Sequence, residues 1–147
     1  MYELFLRSLP LLKQAILMTL GLGISAFVLG SLLGMGVALM RNSALRVLGI
    51  LAFTYVSIFR GTPLLVQILL VYFGLPRLGI TLDPVPAALT SLTLFSASYL
   101  SENFRSGINS VDKGQWEASN SMGMGYWTRL RRIILPQAFR IALPPLG

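Results

Sequence analysis

Ionisable side chains are few in this 147-residue sequence, and two residue types that carry much of enzyme chemistry are absent. There are 12 Lys and Arg, 5 Asp and Glu, no His and no Cys. This composition excludes His-based acid–base catalysis, Ser-His triads, thiol chemistry and ordinary zinc sites. Neither Lys13 nor Lys113 is followed by Ser or Thr, so a phosphate-binding P-loop is excluded as well. We predict no catalytic residue, no metal and no cofactor.

The densest pattern of polar and aromatic residues lies between Gln115 and Pro136. It predicts a short helix, a break at Gly123 and a second helix that ends at the proline, because glycine lets the backbone reverse and proline lacks an amide donor. Such an elbow suits the groove of a partner protein. The alternative is a basic helix on a membrane surface, with Arg129, Arg131 and Arg132 against anionic headgroups. Composition leaves both possibilities open.

The overall composition predicts an integral membrane protein built from helices. Hydrophobic residues make up 54% and charged residues 12% of the sequence, and the mean hydropathy is +0.72. No residue from Gln14 to Met40 is charged. The uncharged runs on either side of Arg60 predict either one span or two half-helices, with a kink or a fresh helix start near Pro63, and we favour one span. We predict an external segment, 1–14, and one transmembrane domain, 15–147, with spans at 15–40, 51–72 and 84–101, a polar region at 102–132 and an incomplete further span at 133–147.

The positive charges predict the orientation of these spans. Arg41, Arg46 and five Lys and Arg residues within 102–132 lie on one side of the predicted spans, whereas Arg7, Lys13 and Arg77 lie on the other. Cytoplasmic loops carry the excess of Lys and Arg, so the N-terminus is predicted to lie outside. The net charge of +7 then reflects topology, and we expect no nucleic-acid partner.

The third predicted span is rich in hydroxyl groups for a membrane helix. Such groups indicate burial within a bundle or the lining of a polar path. The candidate path residues are Thr90, Ser91, Ser98 and Glu102. Glu102 has a second possible role, because it can pair with Arg105 at a spacing of i, i+3.

Small residues recur at every fourth position of the first span. Ala26, Gly30, Gly34 and Ala38 share one helix face, where a neighbouring backbone can approach closely. The stripe predicts either a contact with a partner subunit or packing within the same bundle. Arg60, next to Pro63, is likewise either functional or an arginine that reaches the membrane boundary.

Three stretches of the sequence resemble a known family. The Glu-Ala-Ser run at 117–119, with Gly123 and the Ile-x-Leu-Pro run, resembles the cytoplasmic coupling motif of ABC importer permeases, in which Ala usually stands at the place of Ser119. FRGTPLLVQ, residues 59–67, is similar to the polar amino-acid branch of that family. GLPRLGITLDPVP (74–86) and NSVDKGQWEAS (109–119) look closest to permeases for L-cystine and related amino acids.

The resemblance implies a fold, a function and a set of partners. The fold would be the transmembrane domain of a type I importer with a cytoplasmic coupling helix, incomplete because permeases of this family continue after the Leu-Pro element. The protein would move a polar amino acid across the bacterial inner membrane by alternating access, with ATP hydrolysis on a partner chain. Implied partners are a cytoplasmic ATPase dimer, a periplasmic or lipid-anchored binding protein, a second permease copy and membrane lipids. The residues that would dock on the ATPase are Glu117, Ala118, Ser119 and Gly123. The alternative is a truncated membrane fragment that only dimerises or regulates.

Overall fold

The computed structural model describes residues 2–43 and 45–142, which are helical almost throughout. The helices are α1 (Tyr2–Arg41), α2 (Arg46–Gly61), α3 (Leu64–Leu69), α4 (Pro84–Asn109), α5 (Lys113–Ser121), α6 (Tyr126–Arg129) and α7 (Leu135–Ala142). A π-helical turn, Leu70–Gly74, and a 3-10 turn, Leu75–Leu78, follow α3, and a second π-helical turn, Leu130–Ile134, joins α6 to α7. These ranges contain no strand, which confirms the all-helical prediction.

Helix α1 contains the first predicted span. Its segment Ser8–Arg41 is the one continuous helix in the described ranges that is long and apolar enough to cross a membrane. Many of its large apolar side chains, including Leu17, Ile24 and Leu32, are exposed, as expected for a helix that faces lipid. The helix begins at Tyr2, so the segment predicted to lie outside the membrane continues directly into the span.

The second predicted span, residues 51–72, is broken into two helices. The segments Arg46–Gly61 and Leu64–Leu78 are together long and apolar enough to cross a membrane, but they meet at an angle of 106°. The break lies at Thr62 and Pro63, where a kink was predicted. The structure therefore has the other predicted alternative, two helices with a fresh start after Pro63, in place of the single span that we favour, because Pro63 has no N–H with which to continue α2.

Helix α4 contains the third predicted span and extends beyond it. It begins at Pro84, as predicted, because proline at the first helical position loses no hydrogen bond. It then runs past residue 101 to Asn109, so the first part of the polar region 102–132 belongs to the same 26-residue helix. Its hydroxyl groups make α4 less apolar than α1.

The stripe of small residues on α1 packs against α4 of the same chain. Ala26, Gly30, Gly34 and Ala38 are all buried. A methyl group added at Gly34 would lie 2.9 Å from the carbonyl oxygen of Ala97, and one added at Gly30 would lie 2.9 Å from the Cβ of Ser96. The two helices run in parallel, with their backbones in close contact. The stripe of small residues thus packs against another helix of the same chain, which is the second of the two predicted contacts.

A second buried cluster lies where α4, the second π turn and α7 meet. It contains Ile108, Val111, Leu130, Ile134 and Ala138. Leu39 near the end of α1 and Trp116 of α5 pack against the cluster from two other sides. The ends of α1 and α4 and the chain after residue 112 are thus joined through one apolar contact.

The prediction that the second elbow helix ends at Pro136 is wrong. Pro136 is the second residue of α7, and the helix continues to Ala142. Proline has no N–H, and its ring clashes with the carbonyl group four residues earlier in an α-helix. The preceding π turn accommodates it, with the N–H of Leu135 donating to the carbonyl of Leu130, five residues back. Of the further span predicted at 133–147, residues 143–147 lie outside the described residues.

Candidate functional site

Helix α5 presents one face to the protein and the other to its surroundings. Asp112 begins the helix, and its carboxylate accepts a hydrogen bond of 2.6 Å from the N–H of Gly114. Glu117 and Ala118 are exposed, whereas Ser119 is completely buried. The Ser119 hydroxyl donates to the carbonyl of Gln115 at 2.7 Å. Serine therefore fits a position that needs a small residue, because its own helix satisfies the hydroxyl.

Gly123 ends α5 in the left-handed conformation. Its φ is 71°, a region that residues with a side chain adopt only with strain. The N–H of Gly123 donates to the carbonyl of Asn120 at 2.9 Å, and the N–H of Met124 donates to that of Ser119 at 3.2 Å. This pair of bonds is a Schellman motif with glycine at C′. The predicted glycine break is thus present, with a defined geometry.

Arg129 joins the first arm of the elbow, helix α5, to the second arm, the helical segment that begins at Tyr126. Its guanidinium donates to the side-chain oxygen of Asn120 at 2.8 Å and lies 5.5 Å above the ring of Trp116. Arg131 and Arg132, by contrast, are exposed. One of the three arginines assigned to a basic membrane surface is therefore engaged within the elbow itself.

The candidate path residues of α4 lie in different environments. Ser91 and Ser98 are completely buried, and they donate to the carbonyls of Ala87 and Phe95 at 2.9 and 2.7 Å. Thr90 is exposed, and its hydroxyl donates to Pro86 at 2.8 Å. The predicted path residues therefore do not share one environment, since Thr90 is exposed and Ser91 and Ser98 are buried, and the three hydroxyls each satisfy a carbonyl of their own helix.

Glu102, the fourth candidate, lines a charged cavity of about 180 Å³ that is open to the surface, since Phe53, Ser57 and Arg60 are exposed. The cavity is lined by Arg41, Phe53, Val56, Ser57, Arg60 and Glu102. The predicted pair with Arg105 is present at 2.9 Å, and Arg41 of α1 lies 3.5 Å from the same carboxylate. Arg60 of α2 lies 5.1 Å above the ring of Tyr99. Three helices therefore bring both signs of charge to one cavity.

Sequence reasoning missed Gln67, which is 6% exposed. Its side-chain nitrogen donates to the carbonyl of Phe59 at 2.9 Å and to that of Thr62 at 3.0 Å, across the break between α2 and α3. A signal was available in the sequence. Pro63 stands four residues after Phe59, so the Phe59 carbonyl has no backbone donor and a nearby amide is the natural substitute.

Comparison with known proteins gives consistent matches along most of the chain. Residues 26–147 match the family described as binding-protein-dependent transport system inner membrane component. The chain is 44% identical over 145 residues to the probable amino-acid ABC transporter permease protein YckA of Bacillus subtilis, covering 99% of this chain and 64% of that protein. It is also 44% identical over 138 residues to the L-cystine transport system permease protein TcyB of the same organism, covering 94% and 59%.

A solved structure matches the whole described fold. A crystal structure of an amino acid ABC transporter with histidines has a chain that superposes with a TM-score of 0.88 at 38% identity, covering 100% of this chain and 69% of that one. The present chain thus spans about two thirds of the length of the solved chain and 64% of the length of YckA.

Proposed function

Because the chain belongs to the family of binding-protein-dependent transport system inner membrane components and has the fold of a type I importer permease, we propose that it forms the membrane path of an importer for a polar amino acid. The observation that carries the proposal is the elbow. Its outer face exposes Glu117 and Ala118, while its inner face contacts the buried cluster at the ends of α1 and α4. A partner that displaced α5 would therefore displace both helices.

In this proposal the chain itself performs no bond chemistry. A cytoplasmic ATPase dimer binds at the exposed residues Glu117, Ala118 and Gly123, while the buried Ser119 packs α5 against the protein, and closure of the ATPase on ATP moves the elbow. A periplasmic or lipid-anchored binding protein delivers the amino acid, and a second permease copy completes the path. The elbow transmits the ATPase motion to the helices by rigid-body displacement, which alternates access between the two sides.

The charged cavity at Glu102 supports a zwitterionic substrate. Arg60 offers positive charge to an α-carboxylate, and Glu102 can accept an α-ammonium group by exchanging its contact with Arg41, which would then also face the carboxylate. L-cystine is the finer proposal. It is supported by the loop stretches 74–86 and 109–119 and by the similarity to TcyB, whose name specifies L-cystine transport.

We also propose that the elbow is cytoplasmic and the N-terminus external, in a multi-pass inner-membrane protein. The support is the excess of Lys and Arg on the elbow side of the predicted spans. Single cysteines at Gly79 and Lys113 of this Cys-free chain test the orientation in intact cells. An impermeant reagent is expected to label the cysteine at residue 79, and labelling at residue 113 would contradict the proposal.

The substitution Glu117→Lys tests the coupling role in the assembled transporter. Glu117 is exposed and outside the predicted spans, so membrane abundance is expected to stay near normal while co-purification of the ATPase and substrate-stimulated ATP hydrolysis are lost. Disrupting a charged interface contact costs ~2–5 kcal/mol, enough to weaken a complex about 30-fold or more.

Asp83→Lys is the matched control, because it makes the same charge change at an exposed position that begins α4 at its other end. It is expected to leave ATPase co-purification unchanged. Normal uptake by the Glu117→Lys transporter at normal abundance would reject the coupling assignment.

A further inference from the structure

The break between α2 and α3 leaves a backbone group without its usual donor. In an α-helix the carbonyl of residue i accepts from the N–H of residue i+4. The carbonyl of Phe59 would accept from residue 63, which is a proline without an N–H. Inside a membrane span an unpaired backbone group is costly, because no water is available to replace the donor.

A side chain replaces the donor that Pro63 lacks. The Thr62 hydroxyl adds a bond to the carbonyl of Ile58, whose i+4 residue, Thr62, has an N–H of its own. The side-chain nitrogen of Gln67, in the first turns of α3, donates to the carbonyls of Phe59 and Thr62 at 2.9 and 3.0 Å. One buried amide thus binds the end of α2 to the start of α3, and the two carbonyls that it holds flank Arg60 and Gly61.

We propose that Gln67 is a positioning residue that fixes the angle between α2 and α3 and so holds Arg60 in the charged cavity. Arg60 lines this cavity beside Glu102 and lies over the ring of Tyr99. It lies in the last turn of α2 and directly follows Phe59, whose carbonyl Gln67 holds, so loss of the Gln67 bonds loosens the turn that carries Arg60. The consequence for uptake rests on the proposed function, whereas the consequence for the angle does not.

The other half of the Gln67 amide strengthens this inference. Its side-chain oxygen is buried and, within the described ranges, has no hydrogen-bond partner. The two bonds donated by the nitrogen are therefore the polar contacts that determine where the amide lies. The stretch 59–67 then acts as one unit, in which Pro63 breaks the helix and Gln67 satisfies the carbonyl groups of Phe59 and Thr62 at the break.

Gln67→Met tests the proposal, because methionine has a similar length and donates no hydrogen bond. Spin labels on cysteines at Ile58 and Leu69, which are 57% and 45% exposed, report the angle between the two helices in lipid nanodiscs. We expect the interlabel distance distribution to shift and broaden. The KM for uptake by the assembled transporter is expected to rise roughly tenfold with a smaller change in kcat.

Gln14→Met is the matched control, since Gln14 is an exposed glutamine of α1, and it is expected to leave both quantities unchanged. Pro63→Ala supplies the missing N–H to Phe59. In that background, adding Gln67→Met is expected to cause a smaller further change in the distance distribution, because the Phe59 carbonyl keeps a donor and only the bond to Thr62 is lost.

Distances and KM that are unchanged in Gln67→Met, or effects that add in the double variant, would overturn the inference. If the Gln67→Met protein is not inserted into the membrane, its membrane abundance is measured again in the Pro63→Ala background. Recovery of abundance supports the inference, and no recovery overturns it. Arg60→Gln and Glu117→Lys separate this outcome from the proposed function. If both leave uptake normal at normal abundance, the proposed function fails whatever the distances show.

Discussion

Two glycines, Gly34 in the contact between α1 and α4 and Gly123 in the elbow, are required for different physical reasons. Gly34 has ordinary helical geometry, but an added Cβ would lie within 3.2 Å of Ala97, Leu100 and Ser101. Gly123 has no neighbouring atom within 4 Å of an added Cβ, but its φ is 71°. The first position needs space and the second needs a backbone angle. A side chain at residue 34 is therefore expected to destabilise the α1–α4 contact, whereas a side chain at residue 123 is expected to change the direction of the chain after α5.

The largest effect is expected for Gly34→Leu, which places a side chain where two backbones meet. Overpacking typically costs ~1–3 kcal/mol, and two of the three nearest atoms belong to the backbone of α4 and cannot rotate away. Membrane abundance and the thermal stability of the chain in detergent are expected to fall. Gly23→Leu is the matched control, since nothing lies within 4 Å of its Cβ position. If Gly34→Leu and Gly23→Leu had the same membrane abundance and thermal stability, the close contact between α1 and α4 would not be the reason for glycine at residue 34.

An intermediate effect, confined to function, is expected for Gly123→Val. The left-handed conformation costs a residue with a side chain roughly 1–2 kcal/mol, and more when the side chain is β-branched. The Schellman bonds are then lost and α5 changes direction, so uptake is expected to fall at nearly normal abundance.

Gly125→Val is the matched control for this substitution. Gly125 has φ −61° and ψ 152°, a region that valine adopts readily, and its Cβ position is also open. Uptake by the Gly125→Val transporter is expected to stay near normal. If both variants reduced uptake equally, the special backbone angle at Gly123 would not be the cause.

The smallest effect is expected for Arg129→Gln, which removes the bond to Asn120 and the contact with Trp116. One such bond contributes ~1 kcal/mol, which corresponds to a loss of ATPase affinity of about fivefold. Pull-down titration against Arg131→Gln, a substitution of an exposed arginine, measures this difference. A larger loss for Arg131→Gln than for Arg129→Gln would favour a basic surface over an internal clamp.

The positions where helices begin and end could be predicted from residues close together in the sequence. Which helices pack against each other depends on contacts between residues far apart in the sequence, and these could not be predicted. Pro84 and Gly123 act through their own backbones, so the start of α4 and the end of α5 could be predicted from neighbouring residues. The partner of the glycine stripe could not, because small residues on a helix do not specify which helix approaches them. The hydroxyls of Ser91 and Ser98 were ambiguous for the same reason, since a buried hydroxyl can serve its own helix or a path.

The two prolines also show what neighbouring residues alone do not determine, namely how a helix responds to a proline. Pro63 and Pro136 both lack the N–H that an α-helix uses, and a break was predicted at each. At Pro63 the break is present, with the Gln67 side chain satisfying the exposed carbonyls. At Pro136 the chain instead widens one turn and remains helical. Which response a proline produces depends on the surrounding packing, which the buried face of Leu130, Ile134 and Ala138 provides at the second site.

The widened turn at 130–134 also determines the rotational phase of everything that follows it. Because one extra residue is accommodated there, deleting a single residue from this turn would return it to α-helical geometry and leave the azimuth of α7 nearly unchanged. A deletion between residues 135 and 137 would instead rotate the residues that follow by about 100° about the helix axis, and Ala138 would leave the buried cluster. Single-residue deletions are therefore expected to preserve the orientation of α7 at 130–134 and to disrupt it a few residues later.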